Sequence, residues 1–66
     1  MENSASELSE RENEILRLVS KGLGNKEISV ALDISYYTVR AHLRKIYEKL
    51  HVHGRSEAVA KVKQGK

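Results

Sequence analysis

The sequence predicts an all-α fold, a compact four-helix bundle, and three observations lead to this prediction. Apolar residues recur at helical spacing in four segments, residues that commonly cap helices stand before these segments, and no segment alternates as a strand would. The predicted helices cover about residues 10–21, 26–32, 36–50 and 57–64. With 66 residues in all, the chain is expected to form one small domain.

The first predicted helix begins at a capping box. Ser9 and Glu12 have the spacing at which each side chain accepts a hydrogen bond from the other residue's backbone N–H. Gly22 is placed to end the helix in the left-handed conformation that glycine adopts at little cost. The apolar face of this helix consists of Ile15, Leu18 and Val19, with Leu16 beside them.

The second predicted helix is short and a tight turn follows it. Asn25 is expected to cap its start through a side-chain oxygen. Asp33 tolerates left-handed backbone geometry, and Ser35 is expected to cap the next helix. Because so few residues separate the two helices, they must cross at a steep angle, which is the arrangement of a helix-turn-helix. The apolar stripe of the second helix consists of Ile28, Ala31 and Leu32.

The third predicted helix has two faces of different chemistry. Arg40 and Arg44, with Tyr37 and Ala41 beside them, point away from a narrow apolar sector. Arginine binds guanine O6 and N7 bidentately or clamps a phosphate, so this face favours insertion into a groove of double-stranded DNA. Basic residues on an exposed helix face are more often simply solvated. The apolar sector consists of Val39, Leu43, Ile46 and Leu50.

The distribution of charge supports the DNA interpretation. Residues 1–33 hold four Lys/Arg against seven Asp/Glu, a net charge of −3, whereas residues 34–66 hold eight against two, a net charge of +6. The sum is the +3 of the whole chain. Such an asymmetry gives a small domain an oriented field, in which the second half attracts a polyanion.

The fourth predicted helix is expected to begin after Ser56 as its N-cap, with Val52 of the preceding loop turned inward. Its apolar stripe either completes the core, which is the role expected first for Val59, or pairs with a second copy of the chain. A small DNA-binding domain commonly needs a second copy to read a two-part site, so a homodimer is expected through this helix. The predicted dimerisation residues are Ala58, Val59 and Val62.

Composition narrows the class of protein. Residues 1–7 are predicted to be a disordered tail or the remnant of a linker, and residues 8–64 the domain. No enclosed substrate pocket is expected at this size, so the chain is predicted not to be an enzyme. The sequence has no cysteine, no apolar run that could span a bilayer and no secretory signal. We therefore expect a cytoplasmic protein with no membrane partner and no cofactor.

The residues described so far are part of a longer set that closely resembles the LuxR/FixJ-type (NarL-like) helix-turn-helix domain. The resemblance covers about residues 8–62 without a gap, so it is more specific than a single short motif. Its motifs are Leu8-Ser9-Glu10-Arg11-Glu12, Ile15-Leu16, Gly22-Leu23-Gly24-Asn25-Lys26-Glu27-Ile28, Ile34-Ser35, Thr38-Val39-Arg40-Ala41-His42-Leu43, Lys49-Leu50, Arg55-Ser56 and Ala58-Val59.

The resemblance implies a bacterial transcription regulator, or its output domain, whose third helix lies in the major groove. It includes no upstream receiver or ligand-sensing domain, so no small-molecule ligand is expected for this chain. Lys26 is added as a phosphate contact because it stands at a helix N-terminus. The expected base contacts are Tyr37, Arg40, Ala41 and Arg44. The expected phosphate contacts are Lys26, Ser35, Tyr36, Thr38, Lys45 and Lys49.

The resemblance also implies a pair of oppositely charged residues. The sequence departs from the family pattern at three positions. Glu12 and Arg55 match positions that are typically acidic and basic, and we expect them to meet. Ser29 stands where alanine is usual, and its hydroxyl is expected to bond a backbone carbonyl. Tyr36 and Tyr37 replace charged or small polar residues. A tyrosine there either packs on the core flank and sends its hydroxyl to phosphate or contacts a thymine methyl group.

Other classes of function fit parts of the sequence. His42, His51 and His53 suggest acid-base or metal chemistry, but no carboxylate or thiol is placed to complete a metal site, so no metal is expected. A basic helical face also suits a protein-interaction module with an acidic partner, which is the main alternative. RNA binding is disfavoured by the few aromatic residues, and membrane binding by the use of the third helix's apolar face in the core.

Overall fold

The computed structural model describes residues 8–64, which form four α-helices and no strand. The helices are α1 (Glu10–Ser20), α2 (Asn25–Leu32), α3 (Tyr36–Leu50) and α4 (Arg55–Gln64). The all-α prediction is therefore confirmed for this part of the chain. The predicted tail, residues 1–7, lies outside the described residues.

The start of α1 confirms the predicted capping box. The backbone N–H of Glu12 donates to Ser9 Oγ over 3.0 Å, and the backbone N–H of Ser9 donates to Glu12 Oε1 over 2.9 Å. Two of the backbone donors at this helix end are thus satisfied. The helix ends one residue before the predicted position, and Gly22 follows with a φ of 98°, the left-handed geometry expected there.

The turn between α2 and α3 also follows the prediction. Asp33 adopts a left-handed conformation with φ 57°, and the Ile34 backbone N–H donates to the Ser29 carbonyl over 3.0 Å. Ser35 then caps α3, since its Oγ accepts from the Thr38 backbone N–H over 3.0 Å. The two helices therefore meet across three residues, as a helix-turn-helix requires.

Two predictions for α2 are wrong. The N-cap is Gly24 and not Asn25, because the Glu27 side chain reaches back to accept the Gly24 N–H over 2.7 Å. Ala31 is exposed, whereas Ser29 is buried. The core face of α2 is rotated toward Ser29, whose burial is made possible by a 2.6 Å hydrogen bond from its hydroxyl to the Lys26 carbonyl. The Lys26 carbonyl is thus the backbone partner expected for the Ser29 hydroxyl.

The core lies between the four helices and is centred on α3. All four residues of the predicted α3 sector are buried, and Ile15 and Ile28 contribute fully buried side chains from α1 and α2. Burying a side chain of this size stabilises the fold by about 1.5–3 kcal/mol. The buried core consists of Leu8, Ile15, Leu16, Val19, Ile28, Val39, Leu43, Ile46, Leu50 and Ala58.

The start of α4 differs from the prediction. The helix begins at Arg55, and the Ala58 backbone N–H donates to the Gly54 carbonyl over 3.0 Å. Gly54 therefore stands at the N-cap position, and Ser56 lies inside the first turn. The prediction of Ser56 as the cap is wrong by two residues. Val52 packs against the core as predicted.

Candidate nucleic-acid interface

The side of α3 that faces away from the core is an exposed surface with two arginines. Arg40 and Arg44 are exposed, as are Tyr37 and Ala41, which share this side of the helix. The separation follows from helical geometry, because the outward residues are offset by roughly half a turn from the buried sector at about 100° per residue. The residues that hold α3 in place and those left for a ligand are therefore distinct.

The N-terminus of α3 is exposed at one end of this surface. The hydroxyl groups of Ser35 and Thr38 hydrogen bond each other over 2.9 Å, and both residues are exposed. The first turn of α3 contains no acidic residue. The partial positive charge of the helix N-terminus is thus left without a side-chain anion. This end of the helix suits a phosphate group.

Residues from three parts of the fold surround the arginines in one open depression. Lys26 comes from the start of α2, Lys45 from α3 and Arg55 from the start of α4. Glu27 and Glu48 are the acidic residues of the lining. The basic side chains outnumber them, so the surface is suited to a polyanion. Other residues lining the depression are Tyr36, Tyr37, Arg40, Ala41 and Arg44.

Arg55 does not pair with Glu12, so that prediction is wrong. Its Nη2 donates a hydrogen bond to Asn25 Oδ1 over 2.6 Å, and both residues are half-buried. This bond joins the first residue of α4 to the first residue of α2. Because Lys26 follows Asn25 directly, the bond also fixes the helix start that carries Lys26. Sequence spacing gave no indication of this pairing.

Glu12 instead pairs with Lys49 of α3. The Lys49 Nζ donates to Glu12 Oε1 over 2.8 Å, and Glu12 is only 5% exposed. The hydrogen bond from Lys49 lowers the pKa of the Glu12 carboxyl, and the backbone N–H of Ser9 acts in the same direction, against the effect of burial. The ammonium group of Lys49, an expected phosphate contact, is thus directed to Glu12 of α1, while 35% of the Lys49 side chain stays exposed.

The two tyrosines lie at the first turn of α3 and differ in exposure. Tyr36 is 44% exposed and Tyr37 is 75% exposed. Their rings make an edge-to-face contact with centroids 5.7 Å apart and planes at 87°, an arrangement that aromatic pairs prefer. Tyr36 therefore supports Tyr37, which extends further into solvent.

The apolar stripe of α4 is divided between core and surface. Ala58 is fully buried within the monomer, so it cannot form part of an exposed dimer surface, and its assignment to one is wrong. Val59 and Val62 are half-buried. Val62 lines a second depression together with Leu16 and Arg17 of α1, separate from the basic one.

One known protein family matches most of this chain. The family described as bacterial regulatory proteins, luxR family, matches residues 6–62. The chain belongs to this family. The luxR family resemblance inferred from the sequence motifs is therefore confirmed.

Relatives of this luxR-family chain are named as transcription regulators or as response regulators. It is 37% identical over 59 residues to the HTH-type transcriptional regulator MalT of Vibrio cholerae, covering 89% of this chain and 6% of MalT. It is 49% identical to the putative HTH-type transcriptional regulator YhjB of Escherichia coli, covering 77% of this chain and 26% of YhjB. It is 48% identical to the response regulator protein VraR of Staphylococcus aureus, covering 79% of this chain and 25% of VraR.

A solved structure has the same fold. The response regulator ChrA of a heme-sensing two-component system superposes with a TM-score of 0.84 at 43% identity, covering 88% of this chain and 29% of ChrA. This luxR-family chain thus spans between 6% and about a quarter of the three curated relatives above.

Among residues 8–64, no three His, Cys, Asp or Glu side chains are grouped so that they would hold a metal ion. Over the same residues, none of the helices combines the length and the apolar character needed to cross a membrane.

Proposed function

We propose that this luxR-family domain binds double-stranded DNA sequence-specifically, with the exposed face of α3 in the major groove. The observation that carries the proposal is the two-arginine face of a helix whose opposite face is fully used by the core. An α-helix fits the major groove, and arginine is the side chain that most commonly reads guanine there. The relatives named as transcription regulators, MalT and YhjB, support a role in transcription regulation.

The residues divide into two proposed groups by position. The base contacts are Tyr37, Arg40, Ala41 and Arg44, which occupy the outward face of α3. Ala41 is small enough to let the helix approach the base edges. Phosphate contacts surround this face because the DNA backbone borders the groove. They are Lys26, Ser35, Tyr36, Thr38 and Lys45, and the geometry adds Arg55.

Lys49 was expected to contact phosphate, but its pairing with Glu12 supports a different role. Its ammonium is 2.8 Å from the Glu12 carboxylate, and the contact crosses from α3 to α1. We propose that Lys49 mainly fixes the position of α3 against α1. The orientation of the groove-facing side chains depends on that position.

We propose that the domain serves as the output module of a bacterial transcription regulator. VraR and ChrA are named as response regulators, and this chain matches 25% of VraR and 29% of ChrA. Since bacterial DNA lies in the cytoplasm, the proposed function places the domain there. The half-exposed valines of α4, Val59 and Val62, are the proposed contact between two copies on DNA.

The dimer proposal has its own test. Sedimentation of the chain with a selected duplex should give two copies per duplex, and Val62→Asp should reduce this to one copy while leaving the helical content unchanged. Two copies retained by Val62→Asp would contradict the assignment of the contact to α4.

The main alternative, a module for an acidic protein partner, is separated from DNA binding by competition. A fluorescent duplex selected from a random pool should be displaced by the same duplex unlabelled, and far less by polyglutamate at an equal concentration of negative charge. The reason is that polyglutamate supplies charge without base edges. Equal displacement by both would contradict sequence-specific DNA binding.

A further inference from the structure

Tyr37 is a large and strongly exposed aromatic side chain on the outward face of α3. It is 75% exposed, in contrast to the buried residues of the same helix. At about 100° per residue, Tyr37, Ala41 and Arg44 lie within a sector of roughly 60°, and Arg40 borders it. An aromatic ring therefore stands at the N-terminal end of the surface proposed to enter the groove, and both arginines follow it along the helix.

Single exposed apolar residues are common and need no explanation by themselves. Tyr37 differs because its ring has a fixed neighbour. Tyr36 holds it edge-to-face at 5.7 Å, and Tyr36 is itself less exposed, at 44%. A ring held in this way loses little conformational freedom on binding a ligand, which favours its use as a contact.

The chemistry of the major groove indicates what such a ring would meet. Base edges there present hydrogen-bonding atoms, except for the C5-methyl group of thymine, which is apolar. The donors needed for the polar atoms are supplied by Arg40 and Arg44. We propose that Tyr37 reads the C5-methyl group of a thymine, an inference that rests on the proposed function and specifies the base chemistry it recognises.

The spacing along α3 places this thymine relative to guanine. Tyr37 and Arg44 are separated by seven residues, which is roughly 10 Å along the helix and so about three base pairs. Glu48 continues the same stripe, and its carboxylate is repelled by phosphate. Contact is thus expected from the part of α3 between Tyr37 and Arg44, and the thymine lies within about three base pairs of the guanines.

The test uses deoxyuridine, which differs from thymidine by the C5-methyl group alone. The 66-residue chain is first used to select a duplex from a random pool, and each thymine of the selected site is then replaced singly. Removing one buried methyl group should weaken binding by about four-fold at one position. Tyr37→Phe should keep this four-fold difference because the ring remains. Tyr37→Ala should bind both duplexes equally, whereas the control Arg17→Ala should keep the difference.

The outcomes separate this inference from the proposed function. If Tyr37→Ala still distinguishes thymidine from deoxyuridine, or if no thymine replacement weakens the wild-type chain, then Tyr37 does not read the methyl group while DNA binding stands. A loss of the difference in Tyr37→Phe would assign the contact to the hydroxyl and also overturn the inference. If the wild-type chain binds no duplex, the proposed function fails together with it. Thermal unfolding of Tyr37→Ala, expected to match wild type, checks that the variant is folded.

Discussion

Lys49 of α3 donates a hydrogen bond over 2.8 Å to Glu12 of α1, whose carboxylate is also part of the capping box at the start of that helix. One buried carboxylate therefore caps α1 and joins it to α3. Because the proposed DNA-reading face is on α3, this contact connects the stability of the domain to the position of its functional surface.

Replacement of Lys49 should destabilise the domain. Lys49→Met keeps the length and the helix propensity of the side chain but leaves Glu12 buried without its cation, at a cost of about 1–3 kcal/mol. The control is Lys45→Met, which removes an exposed lysine from the same helix and should change the unfolding free energy by less than about 0.5 kcal/mol. Urea unfolding measures both. Equal effects of the two variants would show that the ion pair contributes nothing.

Acid should remove the stabilisation that Glu12 provides. The pKa of Glu12 is lower in the folded domain than its ordinary value of 4.5, so the unfolded chain binds the proton more readily. The stabilisation by the ionised Glu12 carboxylate is therefore present above the ordinary pKa of 4.5 and is lost as the pH falls through the lower pKa of the folded domain. Glu12→Gln keeps the capping pattern without the charge.

The difference in unfolding free energy between wild type and Glu12→Gln should shrink as the pH falls from 7 into the acid range. Glu14→Gln, which removes an exposed carboxylate of α1, controls for the loss of one charge. A difference that stayed constant across the whole pH range would contradict the role assigned to the Glu12 carboxylate.

The bond between Arg55 and Asn25 should appear as an energetic coupling. Arg55→Ala and Asn25→Ala should each destabilise the domain, and the double variant should cost less than the sum by about 0.5–1.5 kcal/mol. A cycle between Arg55 and Glu12 serves as the control and should show additivity, since Glu12 bonds Lys49 instead. An energetic coupling of Arg55 to Glu12, with none to Asn25, would contradict the pairing seen in the structure.

The error over Arg55 shows where sequence reasoning reached its limit. The bounds of α3 were predicted correctly, because its apolar sector is long and Ser35 caps it. The pairing of Glu12, Lys49 and Arg55 depends on how α1, α3 and α4 are rotated about their axes. Helical spacing within one element carries no information on that rotation, so the ion pair and the Arg55 bond could not be predicted.

Short helices gave weaker patterns. In α2, Ile28 and Leu32 are compatible with two core faces, one that includes Ala31 and one that includes Ser29. The apolar character of Ala31 favoured the wrong face, since a serine whose hydroxyl bonds its own helix is also readily buried. The starts of α2 and α4 were misplaced because Gly24 and Gly54 have no capping side chain to recognise. The residues on the outward face of α3 were predictable because the core face of α3 is long, and helical geometry then determines which residues lie opposite to it.

The two arginines of α3 should contribute separately to DNA affinity. Arg40→Ala and Arg44→Ala should each weaken binding to the selected duplex by about 1–3 kcal/mol and relax the preference at one base pair. Arg11→Ala, on α1 and outside both depressions, should leave the affinity unchanged. Fluorescence anisotropy measures the affinities. An effect of Arg11→Ala equal to the other two would indicate attraction by net charge alone.

Methylation protection by dimethyl sulfate tests the central claim, that α3 enters the major groove, most directly. The reagent modifies guanine N7, which lies in the major groove, and adenine N3, which lies in the minor groove. On the selected duplex, the wild-type chain should protect guanine N7 at two or more neighbouring positions, and Arg40→Ala should restore reactivity at one of them. Full reactivity of every guanine N7, with protection only at adenine N3, would contradict the account.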